Sequence, residues 1–218
     1  PGLLLVHAVE GRAAGGDEAR SMIHQVASEV RRRLGAMVYG EDDDTLEAVT
    51  GQLLMRAGAT LATAESCTGG LVAAAITSVS GSSGYFERGY ITSSNQAKQQ
   101  DLGVSPDAIR LHGAVSRQVA IAMAAGAARR SGASIGVSVT GVAGPTGGTP
   151  DKPVGTVHLA LWDAVHCSGV SARMKFGGDR LSVRQRSTKL CTDMVRRHVG
   201  LHWAEEIALS GEQTHPDA

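Results

Sequence analysis

The chain has 218 residues, of which 42% are hydrophobic, only 3% aromatic and 28 glycine. That length can bury a sizeable core, which Ala, Val, Leu and Ile must fill almost without aromatic rings. Lys plus Arg number 21 and Asp plus Glu 21, so the formal net charge is zero and bulk electrostatics give no reason to expect nucleic acid or an anionic membrane as partner. No apolar run approaches the roughly 20 residues of a membrane-spanning helix. The first residues lack the basic region of a secretory signal, and a cytoplasmic location is expected.

In chain order, residues 19–34 set Met22, Ile23, Val26 and Val30 on one helical stripe. A segment so short cannot enclose a core, and residues 1–37 read as the tail of an upstream domain. Residues 38–44, ending Glu41-Asp42-Asp43-Asp44, read as an acidic linker, and the main domain is expected over 45–200. Asp44 or Thr45 can cap a helix whose stripe of Leu46, Val49, Leu53 and Leu54 stops at Gly58. Beyond it, apolar runs at 60–64, 89–92, 134–140, 155–162 and 166–175 read as strands. Helical patterns at 70–77, 94–102, 116–130 and 179–199 alternate with them, which predicts an α/β fold. The tail, 201–218, is expected to be disordered after Ser210.

Three loops follow predicted strands, where open α/β sheets place ligands. Ala64-Glu65-Ser66-Cys67-Thr68-Gly69-Gly70 leads into a helix N-terminus and is either a plain capped turn or an anion seat offering Thr68 and Gly69. Ser80-Gly81-Ser82-Ser83-Gly84 and Ser94-Asn95-Gln96-Ala97-Lys98 are either a flexible loop with a solvated lysine or a Ser-Lys pair, in which a desolvated amine takes the hydroxyl proton. The stretch from Thr140 to Pro153 is either an inert surface loop or a phosphate site using Gly147, Gly148 and Thr149; it does not have the ATP-binding P-loop pattern. Arg180, in the first turn of the last helix, opposes the helix dipole unless it binds something.

Cys67, Cys167 and Cys191 form no C-x-x-C pair and are expected as reduced thiols. The eight histidines form no ligand spacing, so no metal is expected. Cys67 with His112 as base is a lesser candidate for a nucleophile.

The ordered motifs Ala64-Glu65-Ser66-Cys67-Thr68-Gly69-Gly70, Ser94-Asn95-Gln96-Ala97-Lys98, His112-Gly113-Ala114-Val115-Ser116, Gly144-Pro145-Thr146-Gly147-Gly148-Thr149 and Lys152-Pro153-Val154-Gly155-Thr156-Val157 resemble the C-terminal domain family of the competence/damage-inducible protein CinA, also found alone as PncC. The resemblance covers about 45–199. It implies one three-layer α/β/α domain with a mixed sheet, a homodimer, and hydrolysis of the carboxamide of nicotinamide mononucleotide without metal or cofactor.

It maps a serine nucleophile and its lysine onto Ser83 and Lys98, with Ser66 as the alternative attacking group. Ser66 and Thr140 complete the pocket, and the substrate phosphate lies by Gly147, Gly148 or Arg180. Ser93 stands where the family commonly has tyrosine, and Gln96 where glutamate is common. The missing ring supports a rival expectation, a nucleotide-binding or regulatory domain that keeps the pocket without turnover. Full-length relatives carry a further pyrophosphatase-type domain upstream.

Overall fold

A computed structural model describes residues 16–203. They divide into two compact units, with the boundary between Thr45 and Leu46. The first holds α1 (Gly16–Leu34) and a 3₁₀ turn, Gly35–Met37. Met22 and Val26 of the apolar stripe on α1 are exposed, at 53% and 51%.

The second unit begins with α2 (Leu46–Ala57) and then runs β1 (Leu61–Glu65), α3 (Leu71–Thr77), β2 (Phe86–Ile91) and α4 (Asn95–Leu102). It continues with α5 (Pro106–His112), α6 (Arg117–Ser131), β3 (Ile135–Gly141), β4 (Thr156–Asp163), β5 (Ser168–Lys175) and α7 (Arg180–His202). The sheet has the order β2-β1-β3-β4-β5. β1 runs parallel to β2 and β3, and β4 is antiparallel to both of its neighbours. The sheet is therefore mixed, as expected. Helix α5 was not anticipated, although Ser105, Pro106 at its start and Gly113 at its end are ordinary helix punctuation.

Alternation along the strands sends two kinds of side chain to the two faces. Leu61, Ile135, Val137, Val139, Leu159 and Leu161 pack with α2, α3 and α7. Small residues, Ala62, Ala64 and Ala160, face the layer of α4, α5 and α6. Gly136 lies so close to α6 that a Cβ there would collide with the Ala124 carbonyl. These are the three expected layers. The parallel strands β1, β2 and β3 share one carboxyl edge, where the candidate site lies. No described helix is long and apolar enough to cross a membrane.

Candidate functional site

At the end of central strand β1 the chain turns through Ser66-Cys67-Thr68-Gly69-Gly70 into α3. The turn reverses tightly enough that Gly70 has φ +97°, a conformation that L side chains rarely adopt. The Glu65 carboxylate, 1% exposed, accepts N–H bonds from Gly70 at 2.9 Å, Val72 at 3.1 Å and Ala73 at 2.8 Å. The free amides at the start of α3, expected as a possible anion seat, are thus filled by the chain's own carboxylate. This anchor fixes the turn, and the Ser66 N–H donates to the Val139 carbonyl of β3 at 2.9 Å.

Lys98 comes from α4, whose N-cap Ser94 accepts from the Ala97 N–H at 3.0 Å. Its side chain is 1% exposed, and Nζ donates to the Thr92 carbonyl at 2.6 Å and to Ser66 Oγ at 3.2 Å. Among the described residues it has no carboxylate partner. Burial pushes its amine below the ordinary lysine value because desolvation disfavours the charged form. A hydroxyl and a buried, readily neutral amine therefore share one hydrogen bond.

Ser83 does not join this pair. It lies in an exposed 3₁₀ turn, Ser82–Gly84, and makes no hydrogen bond to Lys98. The reason is topological: Ser83 precedes β2, whose first residue pairs with Leu61 at the amino end of β1, whereas Lys98 follows the carboxyl end of β2. About 20 Å of extended strand separates those edges. The expected Ser83–Lys98 pair is replaced by Ser66–Lys98.

The other expected residues are brought near the same edge with different commitments. The Thr140 hydroxyl, 1% exposed, donates to the Ala114 carbonyl at 2.9 Å and makes no bond to Ser66 or Lys98. Thr149 is used inside its own turn, its N–H donating to the Lys152 carbonyl at 3.0 Å and its Oγ1 accepting the Lys152 N–H at 3.1 Å. Its amide is therefore not offered to a phosphate, while Gly147 and Gly148 are exposed. Arg180 donates through Nη1 to the Gly144 carbonyl at 2.8 Å and keeps an exposed side chain.

The Thr68 carbonyl accepts from Arg184 at 2.8 Å; among the described residues its buried hydroxyl has no partner and the amides of Thr68 and Gly69 have no acceptor. Burial pushes the Cys67 thiol up to about 11, and His112 is exposed and makes no bond to it. The expected lesser pair of Cys67 with His112 is absent. The sequence reading missed Glu65 as anchor and Thr92 as acceptor. Nothing could have signalled Thr92, which acts through its main-chain carbonyl.

Residues 43–199 match the family model for the CinA C-terminal domain. A CinA-like protein of Geobacter sp. (strain M21) is 52% identical over 192 residues, covering 88% of this chain and 44% of that protein. A CinA-like protein of Kosmotoga olearia is 44% identical over 189 residues, covering 87% and 45%. The chain thus spans less than half the length of these curated relatives. Among solved structures, the competence/damage inducible protein CihA from Agrobacterium tumefaciens is similar with a TM-score of 0.67 and 37% identity, over 74% of this chain and 99% of that one. A competence-damaged protein (CinA) superfamily protein from Escherichia coli is similar with a TM-score of 0.66 and 31% identity, over 75% and 98%. With its motifs, its mixed sheet and these likenesses in agreement, the chain belongs to the CinA C-terminal domain family.

Proposed function

We propose that this domain hydrolyses the carboxamide of nicotinamide mononucleotide to nicotinate mononucleotide and ammonia, with Ser66 as nucleophile and Lys98 as its base. The observation that carries the reading is the 3.2 Å contact between Ser66 Oγ and the buried Lys98 Nζ. With the amine neutral, the contact reverses and the Ser66 O–H donates to Nζ. The cationic pyridinium withdraws electrons from the amide carbon, so that Ser66 Oγ bonds to it as its proton passes to Lys98. The same cation favours a neutral lysine.

Collapse of the tetrahedral species breaks the C–N bond. Lys98 returns the proton to the nitrogen, which leaves as ammonia. Water, with Lys98 again as base, then cleaves the acyl-Ser66 ester. The unpartnered amides of Thr68 and Gly69 are the candidate oxyanion donors, each worth about 3 kcal/mol of barrier. Arg180, with Gly147 and Gly148, is a candidate contact for the rest of the nucleotide. Cytoplasmic action and a homodimer belong to the same proposal.

A second reading, binding without turnover, is favoured by the exposed Ser93 in place of a pocket ring. Ammonia release from nicotinamide mononucleotide separates the two. Ser66→Ala and Lys98→Ala are expected to lower the rate at least about a thousandfold, while Ser83→Ala keeps it. Full activity in Ser66→Ala would overturn the assignment, and nucleotide binding with no release by the unaltered protein would favour the second reading.

A further inference from the structure

The turn that carries Ser66 contains one peptide whose direction bears on the proposed chemistry. The first amides of α3 are taken by the Glu65 carboxylate, at Gly70, Val72 and Ala73, so the donors left beside Ser66 are the N–H groups of Thr68 and Gly69. The Gly69 N–H belongs to the same peptide unit as the Thr68 carbonyl. That unit is trans, and in a trans peptide the C=O and N–H point in opposite directions. Whatever holds the carbonyl therefore aims the amide.

The holder is Arg184. Its Nη2 donates to the Thr68 carbonyl at 2.8 Å; the Leu71 N–H also reaches this oxygen, but at 3.4 Å, longer than the usual range. Arg184 is half-buried and comes from α7, which packs with α2 and α3 on one face of the sheet. Lys98 comes from α4, in the layer on the other face. With the carbonyl drawn toward α7, the Gly69 N–H points to the side on which α4 presents Lys98.

The turn alone does not fix that choice. Turning the Thr68–Gly69 peptide over changes mainly ψ at Thr68 and φ at Gly69, and glycine accepts either sign of φ; Gly69 itself sits at +60°. Turned over, the peptide would place its carbonyl oxygen where an anionic oxygen must form. The Arg184 contact is what distinguishes the two orientations.

We propose that Arg184 is a positioning residue, gripping the Thr68 carbonyl so that the Gly69 N–H stays turned to the Ser66–Lys98 side as an oxyanion donor. The inference rests on the proposed function for the reaction that uses this donor. A guanidinium suits the task, because it stays charged and its planar fork fixes direction as well as distance.

The test uses the full chain with Arg184→Met and Arg184→Lys. Arg186→Met is the control for lost charge on α7, since Arg186 donates elsewhere, to the Gly177 carbonyl at 2.9 Å. Two readouts are followed: ammonia release from nicotinamide mononucleotide, and binding of pyridine-3-boronic acid, whose boron takes the Ser66 oxygen and becomes tetrahedral without cleavage of an amide. Arg184→Met is expected to lower kcat and boronate affinity about a hundredfold each, the usual cost of one lost oxyanion donor, with KM little changed. Arg184→Lys, still able to reach one oxygen, should recover about tenfold, and Arg186→Met should match the unaltered protein. The pH at which the rate levels off should stay in place, because direction and not charge is lost. Crystals of Arg184→Met should show the Thr68–Gly69 peptide turned over or in two orientations.

A peptide unmoved in Arg184→Met overturns the proposal. So does boronate binding that is equal in, or absent from, both proteins, or a displaced pH profile with an unchanged plateau. No ammonia from the unaltered protein, with boronate binding weakened in Arg184→Met, would sink the reaction and leave the role of Arg184 standing. Ammonia release untouched by Arg184→Met would do the reverse.

Discussion

Lys98 can serve as the proposed base only when its amine is neutral, and in the free protein burial is what lowers its value. The charged form loses its hydration at 1% exposure, and the Thr92 carbonyl and Ser66 hydroxyl restore only part of it. The pH dependence has a definite sign. The rate of the acylation step should rise with pH and level off once pH passes the depressed Lys98 value, below the ordinary lysine value of 10.5. A pre-steady-state pH profile checks this, and a rate that falls as Lys98 deprotonates would contradict the role. Cys67, next in the chain to Ser66, stays a thiol throughout the neutral range because its value is pushed up to about 11. Of two adjacent nucleophilic residue types, the weaker one thus has the lysine contact.

At the scale of elements, the site depends on β1 being central and on α4 packing across its carboxyl edge. That packing requires the small residues on the α6 face. Gly136 abuts the Ala124 carbonyl and Gly126 the Leu102 carbonyl, which joins the end of α4 to α6. Gly136→Ala should cost about 3 kcal/mol through forced separation of α6 from the sheet, read as a lower denaturant midpoint. The slope of the transition should be unchanged. A loss of under about 0.5 kcal/mol, the usual range for an inconsequential surface change, would show that α6 can move away freely. Most of these elements were legible from the sequence because their punctuation is local: Ser94, Ser116 and Asp179 each cap the helix that follows. Helix α5 was passed over because its seven residues give too little periodicity to read.

At the scale of the whole domain, a second centre holds the opposite edge of the sheet together. Asp163, at the end of β4, is fully buried and accepts five hydrogen bonds. The Val165 and His166 amides donate at 3.0 Å each, the rings of His166 and His198 at 2.8 Å each, and the Trp203 indole at 2.9 Å. Burial alone would raise its carboxyl; the donors outweigh burial and hold it well below the ordinary 3.8. His198 is held below 6.5, mainly by burial. Both groups bind protons more readily in the unfolded chain, so stability is fully present above pH 6.5 and is lost as pH falls, first through His198 and then through Asp163. Asp163→Asn should cost about 3 kcal/mol at neutral pH by setting an amide N–H against N–H donors. It should also flatten the pH dependence of stability below pH 3.8. Equal acid stability of the two proteins in chemical denaturation would remove this role.

The sequence by itself determined the alternation of strands and helices, the loops at the carboxyl edge, the family and Lys98 as a candidate side chain. All of these are written in local patterning and in ordered motifs. It did not determine which serine that lysine meets. Ser83 is 15 residues from Lys98 by the numbering yet lies across the full length of a strand, whereas Ser66, more distant along the chain, is brought beside it by parallel pairing of β1 and β2. Parallel neighbours align their carboxyl ends and send what precedes a strand to the far edge, and only the tertiary structure carries out that alignment. The five-donor Asp163 centre was hidden for the same reason, since it is assembled from residues whose proximity exists only across strands and between layers.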